Sequence, residues 1–122
     1  MTEDTIKRPV NAFDRYHAHL YYDASTIAHA RRIRYMAGQQ FEVELGRIHE
    51  KQVGPHPRWS CQLAFDATQF DALIPWLEDM REGLTVFVHP LHDDVIAEHT
   101  TDASWLGDPV PLNIGFFDSF KS

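Results

Sequence analysis

From Tyr16 to Pro90 the hydrophobic pattern alternates between a period of two and a period of 3.6, and the order of those periods leaves few folds open. Tyr16-His17-Ala18-His19-Leu20-Tyr21-Tyr22 alternates as a strand, with Tyr16, Ala18, Leu20 and Tyr22 on one face and His17, His19 and Tyr21 on the other. Ile27, Ala30, Ile33 and Ala37 then recur at helical spacing, with Asp23, Ser25 or Thr26 placed to cap the start and Gly38 to end the helix. Phe41, Val43 and Leu45 alternate with Glu42 and Glu44 as a second strand, and Gly54-Pro55-His56-Pro57 forms a loop. A third strand runs from about Arg58 to Phe65. A second helix, capped by Asp66 or Thr68, follows through Phe70, Leu73, Leu77 and Met80 to Gly83, kinked or split by Pro75. Leu84, Val86 and Val88 alternate with Thr85, Phe87 and His89 as a fourth strand that stops at Pro90. The order β-α-β-β-α-β specifies an α+β, ferredoxin-like sandwich, with two helices on one face of a four-stranded antiparallel sheet.

Such a sandwich leaves the second sheet face uncovered, and this chain puts unusual residues there. His17, His19, Tyr21, Gln62, Phe87 and His89 all fall on that face, where exposed aromatic rings are costly unless something packs over them. The remaining C-terminal segment, 91–122, carries Trp105, Phe116, Phe117 and Phe120 and is expected to act as a lid or as a dimer segment. Residues 1–11 read as a mobile lead-in, so that 1–122 forms one domain with a C-terminal extension. A chain of 122 residues has the usual size of one core.

Eight histidines against three lysines make the position of the imidazoles the informative question. With strand one between strands three and four, and strand three expected parallel to it, His17 and His19, His56 at the start of strand three and His89 at the end of strand four gather near one end of the sheet. Two imidazoles at i and i+2 share a strand face, and a third from a neighbouring strand completes a facial set around one ion. Arg58 and Gln62 on the open face are placed to orient a ligand, and Tyr21 to stack on an aromatic one. His92 and His99 follow in a short helical pattern, with His99 a ligand or an acid/base group and His92 in a loop of substrate contacts. His29 and His49 read as surface residues, and Cys61 as a small core hydrophobe.

The charge balance of eleven Lys and Arg against eighteen Asp and Glu, a net −7, disfavours nucleic acid and anionic membranes as partners. One cysteine excludes an internal disulfide, and the polar N-terminus shows no signal peptide, so a cytoplasmic location is expected. Glycine-rich nucleotide loops, nucleophile elbows and paired cysteines for zinc are absent from the sequence.

Four motifs in order resemble one family. Tyr16-His17-Ala18-His19-Leu20-Tyr21-Tyr22, Gly54-Pro55-His56-Pro57, Val88-His89-Pro90-Leu91, and Asp93-Asp94 ahead of Glu98-His99-Thr100 and Trp105-Leu106-Gly107 are similar to the DOPA 4,5-dioxygenase family of fungal type. The likeness spans about Tyr16 to Leu112, with a shorter stretch after His89-Pro90 that carries His92. It implies a ferredoxin-like fold, often dimeric, and extradiol cleavage of a catechol with non-haem iron(II). It also makes His17, His19, His56, His89 and His99 the residues for metal binding or proton transfer. The expectation is then an iron(II) site built from His17, His19, His56 and His89, with His17 and His99 as catalytic groups; a carboxylate ligand from Glu98, Asp93, Asp94 or another acid and all-histidine ligation are equally open. Zinc is an alternative occupant in purified protein. The expected partners are a small aromatic substrate, dioxygen and a second copy in a homodimer; the rival reading is a non-catalytic dimer that binds a metal or small ligand.

Overall fold

A computed structural model describes residues 6–92, 94–100, 102–113 and 115. Its elements are β1 (Arg15–Tyr22), α1 (Ile27–Gln40), β2 (Glu44–Leu45), β3 (Trp59–Asp66), α2 (Ala67–Met80), β4 (Val86–Pro90), α3 (Val95–His99) and β5 (Ser104–Leu106). The ferredoxin-like order β-α-β-β-α-β is present, and the C-terminal extension adds a short helix and a fifth strand to the four expected. The sheet is antiparallel throughout and runs β2-β3-β1-β4-β5, which puts β1 at its centre.

One expectation about direction is corrected. Strand β3 is antiparallel to β1, with Arg15 opposite Asp66 and Tyr22 opposite Trp59, not parallel to it. Each helix crossover makes the strands it joins run the same way, so the strand inserted between them must oppose both. The start of β3 therefore lies beside the end of β1, away from His17, and register alone does not deliver His56 to the histidines. The other neighbour keeps its expected place: His17 is opposite His89 and His19 is opposite Phe87.

Local boundaries also shift. Strand β2 is only two residues long, and Phe41 lies before it as the C-cap of α1, with its N–H on the Ala37 carbonyl at 2.9 Å. Gly38 lies inside α1 instead of capping it; a methyl group there would come within 2.8 Å of Leu45 Cδ1, so the end of that exposed side chain would have to shift. Asp66 caps α2 by accepting the Thr68 N–H at 2.9 Å, and the helix runs unbroken past Pro75, which is solvent-exposed. His29 is half-buried and more than surface decoration: its Nε2 meets the Met80 carbonyl at 2.8 Å and ties α1 to the end of α2.

The alternate residues of the strands behave as their pattern requires. Tyr16, Ala18, Leu20, Tyr22, Leu63, Val86 and Val88 pack under Ala30, Ile33 and Ala37 of α1 and Phe70, Leu73 and Leu77 of α2 in one buried core. Cys61 is part of that core, and burial pushes its thiol up to about 12, which makes it unreactive. The other face is covered by the chain itself over part of its area. Tyr21, Phe87 and Trp105 form a second buried cluster with Ile6, Ala103, Val110 and Leu112 against it. Residues just after Ile6 are tied to β5: the Trp105 N–H donates to the Lys7 carbonyl at 2.9 Å, and Arg8 Nη1 donates to the carbonyls of Trp105 and Gly107. The expected lid residues Phe116, Phe117 and Phe120 lie outside the described residues.

Leu63 is fully buried on β3 beneath the helices. Leu63→Ala is therefore expected to lower the unfolding free energy by about 2–5 kcal/mol in urea titration, through lost burial and the cavity left behind. A shift near zero would contradict this core assignment.

Candidate metal centre

The alternation of β1 aims His17 and His19 at the second sheet face, and pairing with β4 brings His89 to the same spot. One ring nitrogen from each of these three residues lies within 4.8 Å of the others. His19 and His89 are buried, and His17 is half-buried at the solvent side. Within the set, His19 Nε2 and His89 Nε2 stand 3.1 Å apart. His89 Nδ1 is 2.9 Å from the Pro90 carbonyl, an acceptor, so Nδ1 carries the hydrogen and Nε2 presents its lone pair to His19.

That separation suits a cation. Two nitrogens each about 2.1 Å from one ion stand about 3.0 Å apart at the right angle of octahedral coordination, and about 3.4 Å apart at the tetrahedral angle. The 3.1 Å observed is nearer the octahedral value. Among the described residues every buried side-chain nitrogen or oxygen has a hydrogen-bond partner. In this pair the partner is another imidazole nitrogen, a contact that a shared ion would replace. The donor set is neutral imidazole, which fits a borderline divalent metal.

A second set shares His89. Glu98 and His99 come from α3, and their ligand atoms lie within 4.8 Å of one another and of His89. Glu98 is buried, with Oε1 3.8 Å from His89 Nδ1 and 4.0 Å from His99 Nδ1, while its Oε2 accepts the His92 backbone N–H at 2.7 Å. The carboxylate thus stands behind His89, on the side away from the Nε2 pair. The sequence singled out none of Glu98, Asp93, Asp94 or another acid, and the structure distinguishes Glu98 from Asp94. Asp94 is spent as the α3 cap, accepting from the N–H groups of Ile96 and Ala97, and Asp93 lies outside the described residues. A signal for this existed in the sequence, since a capping Asp94 leaves Glu98 as the acid that travels with His99.

His56 reaches the cluster by a different route. Its loop folds over the open face, so its ring lies 4.2 Å from that of His19, yet it belongs to neither set of converging ligand atoms. Its Nδ1 is instead 2.7 Å from the Tyr21 hydroxyl. Phe87 stacks on His19 and on Trp105, at centroid distances of 5.6 and 4.8 Å, and closes the floor of the site. Gln62 sits opposite His19 on β3 and is half-buried, whereas Arg58 is exposed beside the start of β3. His92 is held away from the three-histidine set, with Nε2 on Asp102 Oδ2 at 2.7 Å.

The electrostatics keep these imidazoles neutral. Burial first, then the neighbouring His99 and Arg15, lowers the pKa of His17 to about 4. Burial and His99 bring His89 down to about 3, and His56 to about 4. His19, fully enclosed and surrounded by His56, His89, His17 and His99, is also pushed well below the usual histidine range. Burial raises the Tyr21 hydroxyl, which stays protonated. Several buried, uncharged imidazoles around one point form a ready ligand set, because the metal-binding form of histidine is the neutral one.

Comparison with known proteins agrees with the motifs. The Dopa 4,5-dioxygenase family profile matches residues 16–116. A 21.2 kDa protein of Botryotinia fuckeliana, described as uncharacterized, is 31% identical over 119 residues, covering 90% of this chain and 65% of its own length. The DOPA 4,5-dioxygenase of Amanita muscaria is 31% identical over 72 residues, which are 59% of this chain and 32% of that protein. The chain thus spans about two thirds and one third of the length of these relatives. The crystal structure of a "putative dioxygenase" from Nostoc punctiforme superposes with a TM-score of 0.86 at 42% identity, covering 89% of this chain and 95% of that one. Motifs, fold and site geometry converge on one assignment: the chain belongs to the Dopa 4,5-dioxygenase family.

Proposed function

We propose that this chain is a non-haem iron(II) dioxygenase that opens a catechol-type ring by extradiol cleavage, between a hydroxylated carbon and its unhydroxylated neighbour. The observation that carries the reading is the His19–His89 nitrogen pair at 3.1 Å, with His17 in the same set, in a chain of this family. His17, His19 and His89 would hold the metal and leave the remaining positions to ligands from solution, as a catalytic site requires. Iron(II), when bound, supplies the one-electron chemistry that lets a catechol react with dioxygen.

The chain's own residues do the rest. His56 is assigned to the wall of the site, paired with Tyr21, rather than to the ligand set. Phe87 and Tyr21 give an apolar, aromatic surroundings in which a planar ring is desolvated. His99 stands 4.2 Å from the His89 ring, centroid to centroid, and is the group placed to exchange a proton with a bound catechol, a role His17 takes only if it is left out of the ligand set. Gln62, beside His19, and Arg58, at the exposed rim, are assigned to orient the substrate's polar groups. The helices described include none long and apolar enough to cross a membrane; a cytoplasmic setting is part of the proposal. A homodimer that completes the covered face is part of the same proposal.

Anaerobic loading with iron(II), then a panel of catechols and oxygen, is expected to give a yellow ring-opened product with uptake of one dioxygen per ring. No product from any catechol with metal bound would overturn the reading and favour a binding protein without turnover. His19→Ala is expected to lose the bound metal while keeping its far-UV circular dichroism spectrum; retention of one equivalent of metal would contradict the ligand assignment.

The neutral histidines also set a pH dependence. His17 and His89 have pKa values of about 4 and about 3 when folded, against 6.5 unfolded, so between those limits the unfolded chain binds more protons. Stability of the metal-free protein is then full above about pH 6.5 and falls as the pH drops toward 4. Melting temperatures across pH 7 to 4.5 should decline accordingly, and a flat or rising profile would contradict neutral burial.

A further inference from the structure

The segment that carries Glu98 and His99 is poorly equipped to hold itself in place. Helix α3 is five residues long, far below the length at which a helix is stable alone, so its position must come from contacts outside it. The two ends of the segment are joined by one pair: His92, before the helix, meets Asp102, after it, with Nε2 and Oδ2 2.7 Å apart. The proton on that nitrogen is assigned by the other edge of the ring. His92 Nδ1 accepts the Asp94 backbone N–H at 3.2 Å, so the hydrogen sits on Nε2 and is donated to the carboxylate. Phe13 stacks on the same ring at 5.6 Å and 29°, fixing its plane, and the Asp102 N–H returns to the Ala97 carbonyl at 2.8 Å. His92 also reaches the site directly, because its backbone N–H donates to Glu98 Oε2 at 2.7 Å.

We infer that His92 and Asp102 are positioning residues, a clasp that closes the 92–102 segment and holds the Glu98 carboxylate behind His89. The clasp works through three links, each on one side chain or amide: Asp102 fixes the His92 ring, His92 fixes one oxygen of Glu98, and the other oxygen faces His89 and His99. The Pro90 carbonyl takes the His89 Nδ1 hydrogen and orients the ring, and the Glu98 carboxylate, 3.8 Å from the same nitrogen, adds a negative charge behind the site that favours a bound cation. His92 then serves the ion indirectly instead of touching substrate. This inference rests on the metal reading proposed above.

The test uses cobalt(II) as a spectroscopic probe added to the metal-free full chain. Wild type is expected to bind one equivalent. Asp102→Ala and His92→Ala should weaken that binding about tenfold or more and shift the visible bands of the bound ion, the usual scale for losing a group that supports a ligand. Asp102→Asn, which keeps an acceptor oxygen in place, should recover most of the affinity, and with iron(II) loaded the loss should fall on kcat more than on KM. If Asp102→Ala does not fold, Asp102→Ser, too short to reach the ring, replaces it against Asp102→Asn. Unchanged cobalt affinity and spectrum in a folded variant, even with a lower melting temperature, would overturn the clasp and leave the metal reading standing. Failure of the wild type to bind cobalt would overturn both.

Discussion

Everything in this molecule depends on β1 holding its register between two antiparallel neighbours. Its even-numbered residues, Tyr16, Ala18, Leu20 and Tyr22, belong to the core beneath the helices, and its odd-numbered ones, His17, His19 and Tyr21, to the opposite face. A slip of one residue would exchange the two sets, driving imidazoles into the apolar core and tyrosines out of it. With strands on both sides, that slip is disfavoured twice over. The same burial that stabilises the sandwich therefore also aims the histidines, so folding and site assembly are one event.

Placing so many imidazoles together is affordable only because they are uncharged. Protonation of one ring would set a cation among its neighbours in a desolvated space, and the lowered pKa values of His17, His56 and His89 express that repulsion and burial. Glu98 introduces the compensating feature, a buried carboxylate behind His89 that is stabilised by a backbone N–H from His92. A divalent ion suits this arrangement better than a proton does, since several lone pairs converge on one point. Phe87 and Trp105 then exclude water from the floor of the same space.

The architecture was legible because it depends on periodicity. The six segments from Tyr16 to Pro90, their order, and the face each residue takes follow from alternation and helical spacing alone, and the pairing of His17 with His89 follows from the fold. What was not legible depends on three-dimensional closure. The direction of β3 relative to β1 is a property of crossovers, and taking the two as parallel put the entry of β3, with His56, beside the start of β1 instead of its end. The route by which His56 returns, a loop over the sheet, leaves no periodic trace. Gly38 reads as a cap in one dimension and proves to be a packing contact with Leu45. Glu98 was one of several candidate acids, of which the α3 cap occupies Asp94, and β5 is too short, at three residues, to show alternation.

The central claim is that imidazoles from two strands share one ion at the rim of the sheet. Anomalous diffraction at the iron absorption edge, from crystals of protein loaded with iron(II) under anaerobic conditions, tests it without reference to turnover. A single strong peak between the facing nitrogens of His19 and His89, within bonding distance of both, is the result this account requires. Iron located elsewhere, or those two rings still hydrogen-bonded to each other with iron present, would contradict it.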